Sequence, residues 1–370
     1  MSQQPPSRNA HYYRPELDVL RLFAFLSVFL AHSFFGTGHL VKSFQEALHV
    51  GLPLFFFLSS FLITELLRRE RAKTGTIDIK RFYVRRILRI WPLYLSFVIA
   101  VFFLWHGAQP PMEPISQGRF LSYMGLSANW YAVLTRNIGL SPISPLWSIS
   151  VEEQFYLLWP MMFLLGGKRL TTLLSLATLP VAMLSIYWVT RQANASDVQL
   201  WPNSFVVFIF FGLGALTALY SEHLPKLNSA LSRVALLLVS LLVSLAGIYL
   251  FNPALPLSMG MSLGRYGCML AATAGIFLAF YGWTWAGSFS FPVYLGKISY
   301  GLYVFHMLSI EAAQICTPIL IRYVKHGGTV LQLALSLTFT IALASLSYRY
   351  LETPFLRLKD KFTIIASRSV

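Results

Sequence analysis

Ionisable side chains inside apolar stretches are the residues of this sequence best suited to do chemistry. The first such stretch, residues 17–35, contains Arg21 and His32, eleven positions apart. At about 100° per residue, this spacing brings both to within about 20° of one helix face, about 16 Å apart along the axis. Imidazole transfers protons readily near neutral pH, so His32 is a candidate general base. The alternative is that Arg21 pairs with Asp18 and reaches the membrane interface, while His32 only packs against other helices.

Three arginines, Arg85, Arg86 and Arg89, open the third apolar stretch. They lie within about one helical turn, so their guanidinium groups can converge on phosphate oxygens and bind them in the bidentate manner that lysine does not offer. This pattern indicates a phosphate-binding site. The alternative is that the cluster anchors lipid headgroups and sets topology, as basic residues at the end of a membrane span usually do.

Two adjacent carboxylates, Glu152 and Glu153, lie inside the fourth apolar stretch. Adjacent helical residues point about 100° apart, so both cannot face one cavity equally. Burial of two carboxylates is costly, which favours a functional role over satisfaction by neighbouring helices.

A further polar stripe, Ser299, Tyr303 and His306, shares one face of the ninth stretch. It is a candidate substrate-lining surface, and the alternative is hydrogen bonding between helices.

Several common catalytic patterns are absent from the sequence. There is no glycine-rich phosphate loop, no Gly-x-Ser-x-Gly turn and no His-x-x-x-His pair, and the two cysteines, Cys268 and Cys316, suggest neither a disulfide framework nor a metal site. We therefore expect no bound metal and no tightly bound cofactor. The remaining histidines fall in loops or tails, where we expect them to be solvated: His11, His39, His49, His106, His223 and His326.

The elements that must position these residues are transmembrane helices. The chain has 370 residues, of which 56% are hydrophobic and 12% charged, against about 25% charged in soluble domains. Ten apolar stretches approach the roughly 20 residues that cross a hydrocarbon core. The sequence thus predicts an all-α, polytopic bundle whose spans are residues 17–35, 50–67, 87–105, 146–165, 170–189, 204–220, 230–250, 262–281, 294–316 and 329–347.

The distribution of basic residues predicts the orientation. With a cytoplasmic N-terminus, 20 of the 29 Lys and Arg residues fall on the inner side and six on the outer side, which satisfies the positive-inside rule. The net charge of +15 is then mostly a topological signal, and we expect no nucleic-acid partner. We predict residues 1–16 as a cytoplasmic tail, 17–354 as one membrane domain and 355–370 as a second cytoplasmic tail, in the cytoplasmic membrane.

Taken in order, these motifs resemble those of acyltransferase family 3, a family of integral membrane proteins. The matching segments are RPELDVLR at 14–21 with His32, GLPLFFFLSSF at 51–61, FYVRRILRIWP at 82–92, LWSISVEEQFY at 146–156, ISYGLYVFH at 298–306 and YLETP at 350–354. The chain departs from the family at Ser60, where members commonly have Gly, and at Pro53. Neither departure affects the residues that could do chemistry.

The resemblance implies transfer of an acyl group, most often acetyl, from acyl-CoA to a hydroxyl of a carbohydrate or glycoconjugate. It ties Arg21, His32, Arg85, Arg86 and Arg89 to activity. We expect acetyl-CoA to be held by these arginines, and His32 to act as general base or as a transient acyl carrier.

The sequence leaves open the role of the two adjacent carboxylates and one alternative function. Glu152, with Glu153 second, is expected to orient His32 or the sugar. The alternative function is a proton-coupled secondary transporter, because buried His, Glu and Arg in many spans also suit a carrier. A carrier built from two halves would carry internal repeats, and the sequence has none.

Overall fold

The apolar stretches of the sequence fold as α-helices, which satisfy every backbone hydrogen bond within the segment. A computed structural model describes residues 12–33, 39–105, 115–251, 257–321 and 328–365, and within these ranges there is no β-strand. Its helices are α1 Pro15–His32, α2 His39–Ala47, α3 Gly51–Thr74, α4 Ile79–Trp105, α5 Gln117–Met124, α6 Ala128–Thr135, α7 Trp147–Thr190, α8 Ser204–Leu219, α9 Ala230–Leu250, α10 Met259–Phe280, α11 Ser290–Lys297, α12 Ser299–Ile321, α13 Gly328–Ser347 and α14 Thr353–Asp360.

The all-helical prediction is confirmed, and several helices are long and apolar enough to cross a membrane. Over the described residues there are six such helical stretches, Val41–Thr74, Ile79–Leu104, Ser144–Thr190, Ala230–Leu250, Met259–Phe280 and Gly328–Asp360. The first helix is not among them, since its 18 residues include the three charged side chains Glu16, Asp18 and Arg21. The count of ten spans and the cytoplasmic placement of both termini stay predictions.

The long helix α7 contains two of the predicted spans, 146–165 and 170–189, and is interrupted between them. Gly167 has φ +54° and ψ −145° inside the helix, a left-handed conformation that favours glycine. A Cβ at this position would lie 2.5 Å from Nη1 of Arg71. The same Nη1 donates a hydrogen bond to the carbonyl of Phe163 at 3.1 Å, so α3 is tied to the break.

The helix α1 lies among other helices, packed against α3, α10, α11 and α12. Leu20, Ala24 and Phe25 on α1 are fully buried. The start of α3 approaches especially closely, because a Cβ on Gly51 would be 2.4 Å from the carbonyl oxygen of Ala24. This contact holds the turn that precedes α3 beside the end of α1, where His32 is located.

The segment after α13 folds back onto α4. A π-helical turn, Tyr348–Glu352, leads into α14, which packs against α4. The carbonyl of Phe362 accepts a hydrogen bond from Nη1 of Arg85 at 2.8 Å, and that of Ile364 accepts one from Nζ of Lys73 at 3.3 Å. Residues 355–365, assigned by the sequence to a tail, are therefore joined to the membrane helices.

Candidate functional site

A strongly basic cavity lies where α1, α3, α4 and the C-terminal segment meet. This first cavity opens to the surface and occupies about 940 Å³ with its open mouth included. Its charged lining consists of six basic side chains, Arg14, Arg21, Arg85, Arg86, Arg89 and Lys359, and two acidic ones, Asp18 and Glu70. Tyr12 also lines it, and burial raises the pKa of this phenol, which stays a hydrogen-bond donor. The excess of positive charge suits a ligand that carries several phosphate charges.

The four predicted arginines meet at this cavity but differ in their partners. Arg21 donates to Oδ1 of Asp18 at 2.6 Å. Arg85 donates to Oε2 of Glu70 at 3.2 Å and to the Phe362 carbonyl. The Nε of Arg86 is buried and has no hydrogen-bond partner within the described part of the chain. A buried donor without a partner is costly, and a bound anion would satisfy it.

The side chain of Arg86 is held by aromatic rings instead. Its guanidinium carbon lies 5.5 Å from the ring centre of Phe82 and 5.4 Å from that of Tyr156. Such cation–π contacts orient the group without occupying its donors.

A second cavity, of about 800 Å³ with its open part included, adjoins the first. The two share Arg21, Leu62, Arg86 and Arg89 as lining residues. The second cavity adds side chains from α7 and α12, including Glu152, Ser148, Ser299 and Tyr303. Two adjoining cavities, one lined by arginines and the other by hydroxyls and a carboxylate, suit an elongated ligand that reaches across both.

The two adjacent carboxylates face in different directions. Glu152 lines the second cavity, where its Oε1 accepts a hydrogen bond from Ser59 at 3.1 Å and its Oε2 one from Tyr156 at 2.6 Å. Glu153 does not line this cavity, and its Oε2 accepts from Nε1 of Trp91 on α4 at 3.2 Å. The structure thus distinguishes the two carboxylates by whether they line the cavity, which the sequence alone could not do.

His32 lies at the end of α1 in contact with two other imidazoles. Its Nδ1 is 2.8 Å from the carbonyl oxygen of Val28. A carbonyl can only accept, so Nδ1 carries the proton and Nε2 keeps a lone pair. The ring centres of His306 and His49 are 5.1 Å and 5.7 Å away.

The His32 imidazole and the Glu152 carboxylate have different partners in the structure. Nδ1 of His32 is held by the Val28 carbonyl of its own helix, while Glu152 accepts hydrogen bonds from Ser59 and Tyr156. That Glu152 orients His32 or the sugar stays a prediction.

The stripe on α12 extends from the second cavity to His32. Ser299 and Tyr303 line the cavity, and the Tyr303 hydroxyl contacts Oγ of Ser148 at 2.8 Å and donates to the Pro145 carbonyl at 2.9 Å. His306 is 1% exposed, and its Nδ1 donates to the Tyr303 carbonyl at 2.5 Å. Its Nε2 is an acceptor with no hydrogen-bond partner among the residues described.

Sequence reasoning missed His49, which was expected to be solvated. The structure places it in a short 3₁₀ turn, Leu48–Val50, with its ring between those of His32 and Trp201. The only signal was its position two residues before the Gly51 motif, since Gly51 fixes this turn against α1. His223 is exposed as expected, while His11, His106 and His326, and the side chain of His39, lie outside the described residues.

Comparison with known proteins gives a match along nearly the whole chain. A family model described as an acyltransferase domain matches residues 14–349. The peptidoglycan O-acetyltransferase OatA of Listeria monocytogenes is 26% identical, over 94% of this chain and 56% of its own length. The provisionally named peptidoglycan O-acetyltransferase YrhL of Bacillus subtilis is 29% identical, over 93% of this chain and 55% of its own. The chain spans about half the length of these relatives, and no solved structure matches it.

Proposed function

Because the chain belongs to acyltransferase family 3, whose model spans residues 14–349, we propose that it is a membrane O-acetyltransferase. It transfers an acetyl group from acetyl-CoA on the cytoplasmic side to a hydroxyl of a carbohydrate or glycoconjugate. The observation that carries this proposal is the pair of adjoining cavities, the first lined by six basic side chains and the second by Glu152 and by Tyr303 of the stripe that ends beside His32. The names of the two relatives favour a cell-wall glycan as acceptor.

The arginines hold the phosphates of the donor. Arg86 and Arg89 line both cavities, so a ligand that binds them extends naturally into the second one. Arg21 stands about 16 Å from His32 along α1. This length is comparable to the extended pantetheine arm of CoA, which places the thioester near the imidazole.

His32 moves one proton during the transfer. Its Nε2 accepts the proton of the acceptor hydroxyl while the hydroxyl oxygen bonds to the thioester carbonyl carbon. When the carbon–sulfur bond breaks, the imidazolium returns that proton to the leaving thiolate. The products are the acetyl ester and CoA, and the enzyme is unchanged. His306, with its Nε2 lone pair buried nearby, stabilises the imidazolium that His32 becomes.

Glu152 has a separate role in this scheme. It lies on the cavity wall on the donor side of Tyr303, where its carboxylate accepts hydrogen bonds from protein hydroxyls. In that position it binds and orients a hydroxyl-bearing part of the substrates.

The test uses the full chain, purified into lipid nanodiscs. It measures transfer of the radiolabelled acetyl group of acetyl-CoA to soluble glycan fragments of peptidoglycan, together with release of free CoA. We expect free CoA to appear only when the glycan is present, and His32→Ala to lower the rate by about 10²- to 10⁴-fold, the range of general-base catalysis. Binding of acetyl-CoA to this variant should stay within about twofold of the unsubstituted chain, since the arginines are untouched.

The matched control is His223→Ala, because that side chain is 76% exposed and lines neither of the two cavities. Normal transfer by His32→Ala would overturn the proposed role of His32. Uptake of the glycan into vesicles without CoA release would instead support a transporter.

A further inference from the structure

The C-terminal segment contributes a lysine, Lys359, to the first cavity, and the function proposed above gives this residue no individual role. Lys359 lies near the end of α14, and Thr363 after it lines the same cavity. The hydrogen bond from Arg85 to the Phe362 carbonyl holds this segment against α4. The Lys359 side chain is 14% exposed, so most of its surface is covered by protein at the edge of the cavity.

The two cavities order the basic residues along an elongated ligand. Three basic side chains line both cavities: Arg21, Arg86 and Arg89. Three line only the first: Arg14, Arg85 and Lys359. In acetyl-CoA the pantetheine arm runs from the thioester to the diphosphate, and the ribose with its 3′-phosphate lies beyond the diphosphate. With the arm in the second cavity and the diphosphate on the shared arginines, the 3′-phosphate lies among the residues of the first cavity alone.

Two of the three residues that line only the first cavity are paired with buried carboxylates. Arg14 pairs with Oε1 of Glu16 at 3.1 Å, and the Glu16 side chain is 4% exposed. Arg85 pairs with Oε2 of Glu70 at 3.2 Å, and the Glu70 side chain is 3% exposed. A ligand phosphate that bound either arginine would compete with a carboxylate that depends on it.

Lys359 is paired more loosely. Its Nζ is 3.5 Å from Oδ1 of Asp360, whose side chain is 47% exposed, so water screens this pair. An ammonium group has three donor hydrogens, and Asp360 leaves some of them for a ligand. Arg86 and Arg89, which line the same cavity, repel the ammonium. A phosphate bound between these groups would replace that repulsion with attraction.

We propose that Lys359 binds the 3′-phosphate of CoA, and that this contact makes the protein prefer CoA thioesters over thioesters that lack this phosphate. The inference rests on the proposed acetyl-CoA-dependent function and adds a residue that determines donor specificity. A phosphate monoester carries a charge of about −1.5 to −2 at neutral pH. Lysine binds such a group as a compact point charge. The fold-back of α14 thus completes the donor site.

The test is calorimetric titration of the full chain in nanodiscs with acetyl-CoA and with acetyl-3′-dephospho-CoA, which lacks only the 3′-phosphate. We expect the unsubstituted chain to bind acetyl-CoA about tenfold or more tightly than the second thioester, as a charge-assisted contact implies. Lys359→Met should bind acetyl-CoA about tenfold more weakly and should bind acetyl-3′-dephospho-CoA within about threefold of the unsubstituted chain. Lys359→Arg keeps the positive charge and should keep most of the preference.

The matched control is Lys361→Met, because Lys361 is two residues away, exposed, and lines neither cavity. It removes the same charge from the same segment, so it reports what the overall charge contributes to the preference. We expect the preference of Lys361→Met to stay within about twofold of that of the unsubstituted chain. If Lys359 only held α14 in place, its loss would weaken both thioesters alike, since both need the same folded cavity.

The role of Lys359 is wrong if the unsubstituted chain binds both thioesters equally, if Lys359→Met keeps the preference or weakens both thioesters alike, or if Lys361→Met loses the preference as well. Equal binding of the two thioesters, with acetyl transfer from both, would overturn only the role of Lys359. If neither thioester binds, acetyl-CoA is not the donor and the role of Lys359 falls with it. A preference that depends on Lys359, in a chain that transfers no acetyl group, would support the contact and overturn the proposed function.

Discussion

Arg85 and Arg86 are adjacent in sequence, and replacing each by Met should give opposite results. Arg85 donates to Glu70 at 3.2 Å and to the Phe362 carbonyl at 2.8 Å. The Nε of Arg86 has no hydrogen-bond partner within the described residues, and its guanidinium lies over Phe82 and Tyr156. Arg85 is thus bound by the protein, while Arg86 is available to a ligand. Met keeps most of the length of the arginine stem and removes the charge.

The expected magnitudes follow from these partners. Hydrogen bonds to charged groups contribute about 1.5–3 kcal/mol, so Arg86→Met should weaken acetyl-CoA binding by about 10- to 150-fold. The free energy of unfolding of Arg86→Met should differ from that of the unsubstituted chain by less than about 1 kcal/mol. The variant loses the cation–π contacts of Arg86, but it also loses a buried donor without a partner, and the two effects offset each other.

The Arg85 variant should lose stability instead. It leaves the Glu70 carboxylate, whose side chain is 3% exposed, with only the Asp78 N–H as a described donor. Loss of the two Arg85 hydrogen bonds costs about 2 kcal/mol, discounted for the partial exposure of Arg85. Acetyl-CoA affinity should fall less than in Arg86→Met, since this guanidinium is already engaged.

The assays are calorimetric titration of acetyl-CoA and thermal unfolding of the same preparations in nanodiscs. Arg81→Met is the control, because Arg81 is on the same helix, its side chain is 52% exposed, and it lines neither cavity. The reasoning is refuted if Arg86→Met binds acetyl-CoA as well as Arg81→Met does. It is also refuted if Arg86→Met lowers Tm as much as Arg85→Met.

Two other predictions concern α7. Glu152→Gln should reduce the transfer rate at least tenfold, while Glu153→Gln should leave it within about threefold, because only Glu152 lines the second cavity; equal losses in the transfer assay would contradict this assignment. Gly167→Ala should destabilise the protein by about 1–3 kcal/mol in thermal unfolding, since the backbone there is left-handed and the new Cβ would meet Arg71. Gly267→Ala is the control, because this helical glycine has no other heavy atom within 4 Å of the position of a new Cβ, and an equal Tm for both variants would argue against strain at Gly167.

Four of the arginines that line the first cavity could be predicted as site candidates from the sequence. Arginines that open an apolar stretch, and an arginine eleven positions before a histidine, are local patterns, and helical periodicity places them on faces. The structure brings Arg21, Arg85, Arg86 and Arg89 to one cavity as that pattern implied. Whether they bind acetyl-CoA stays a prediction.

The choice between Glu152 and Glu153 could not be read from sequence. The two glutamates are adjacent, so they share the same sequence surroundings. Only the residues of the helices packed around them decide which one faces a cavity. Ser59 on α3 donates a hydrogen bond to Glu152, and Trp91 on α4 donates one to Glu153. The packing of α7 between these helices, which no local pattern encodes, separates the two carboxylates.

The sequence by itself determined that the protein is helical and carries charge inside apolar stretches, because these properties depend on residues within a few turns of one another. Only the tertiary structure decided that Lys359 joins the basic cavity and that His49 lies beside His32. Both are distant in the chain from the residues they contact. The fold-back of α14 and the close approach of Gly51 to Ala24 bring them there, and such long-range contacts arise only when the helices pack together.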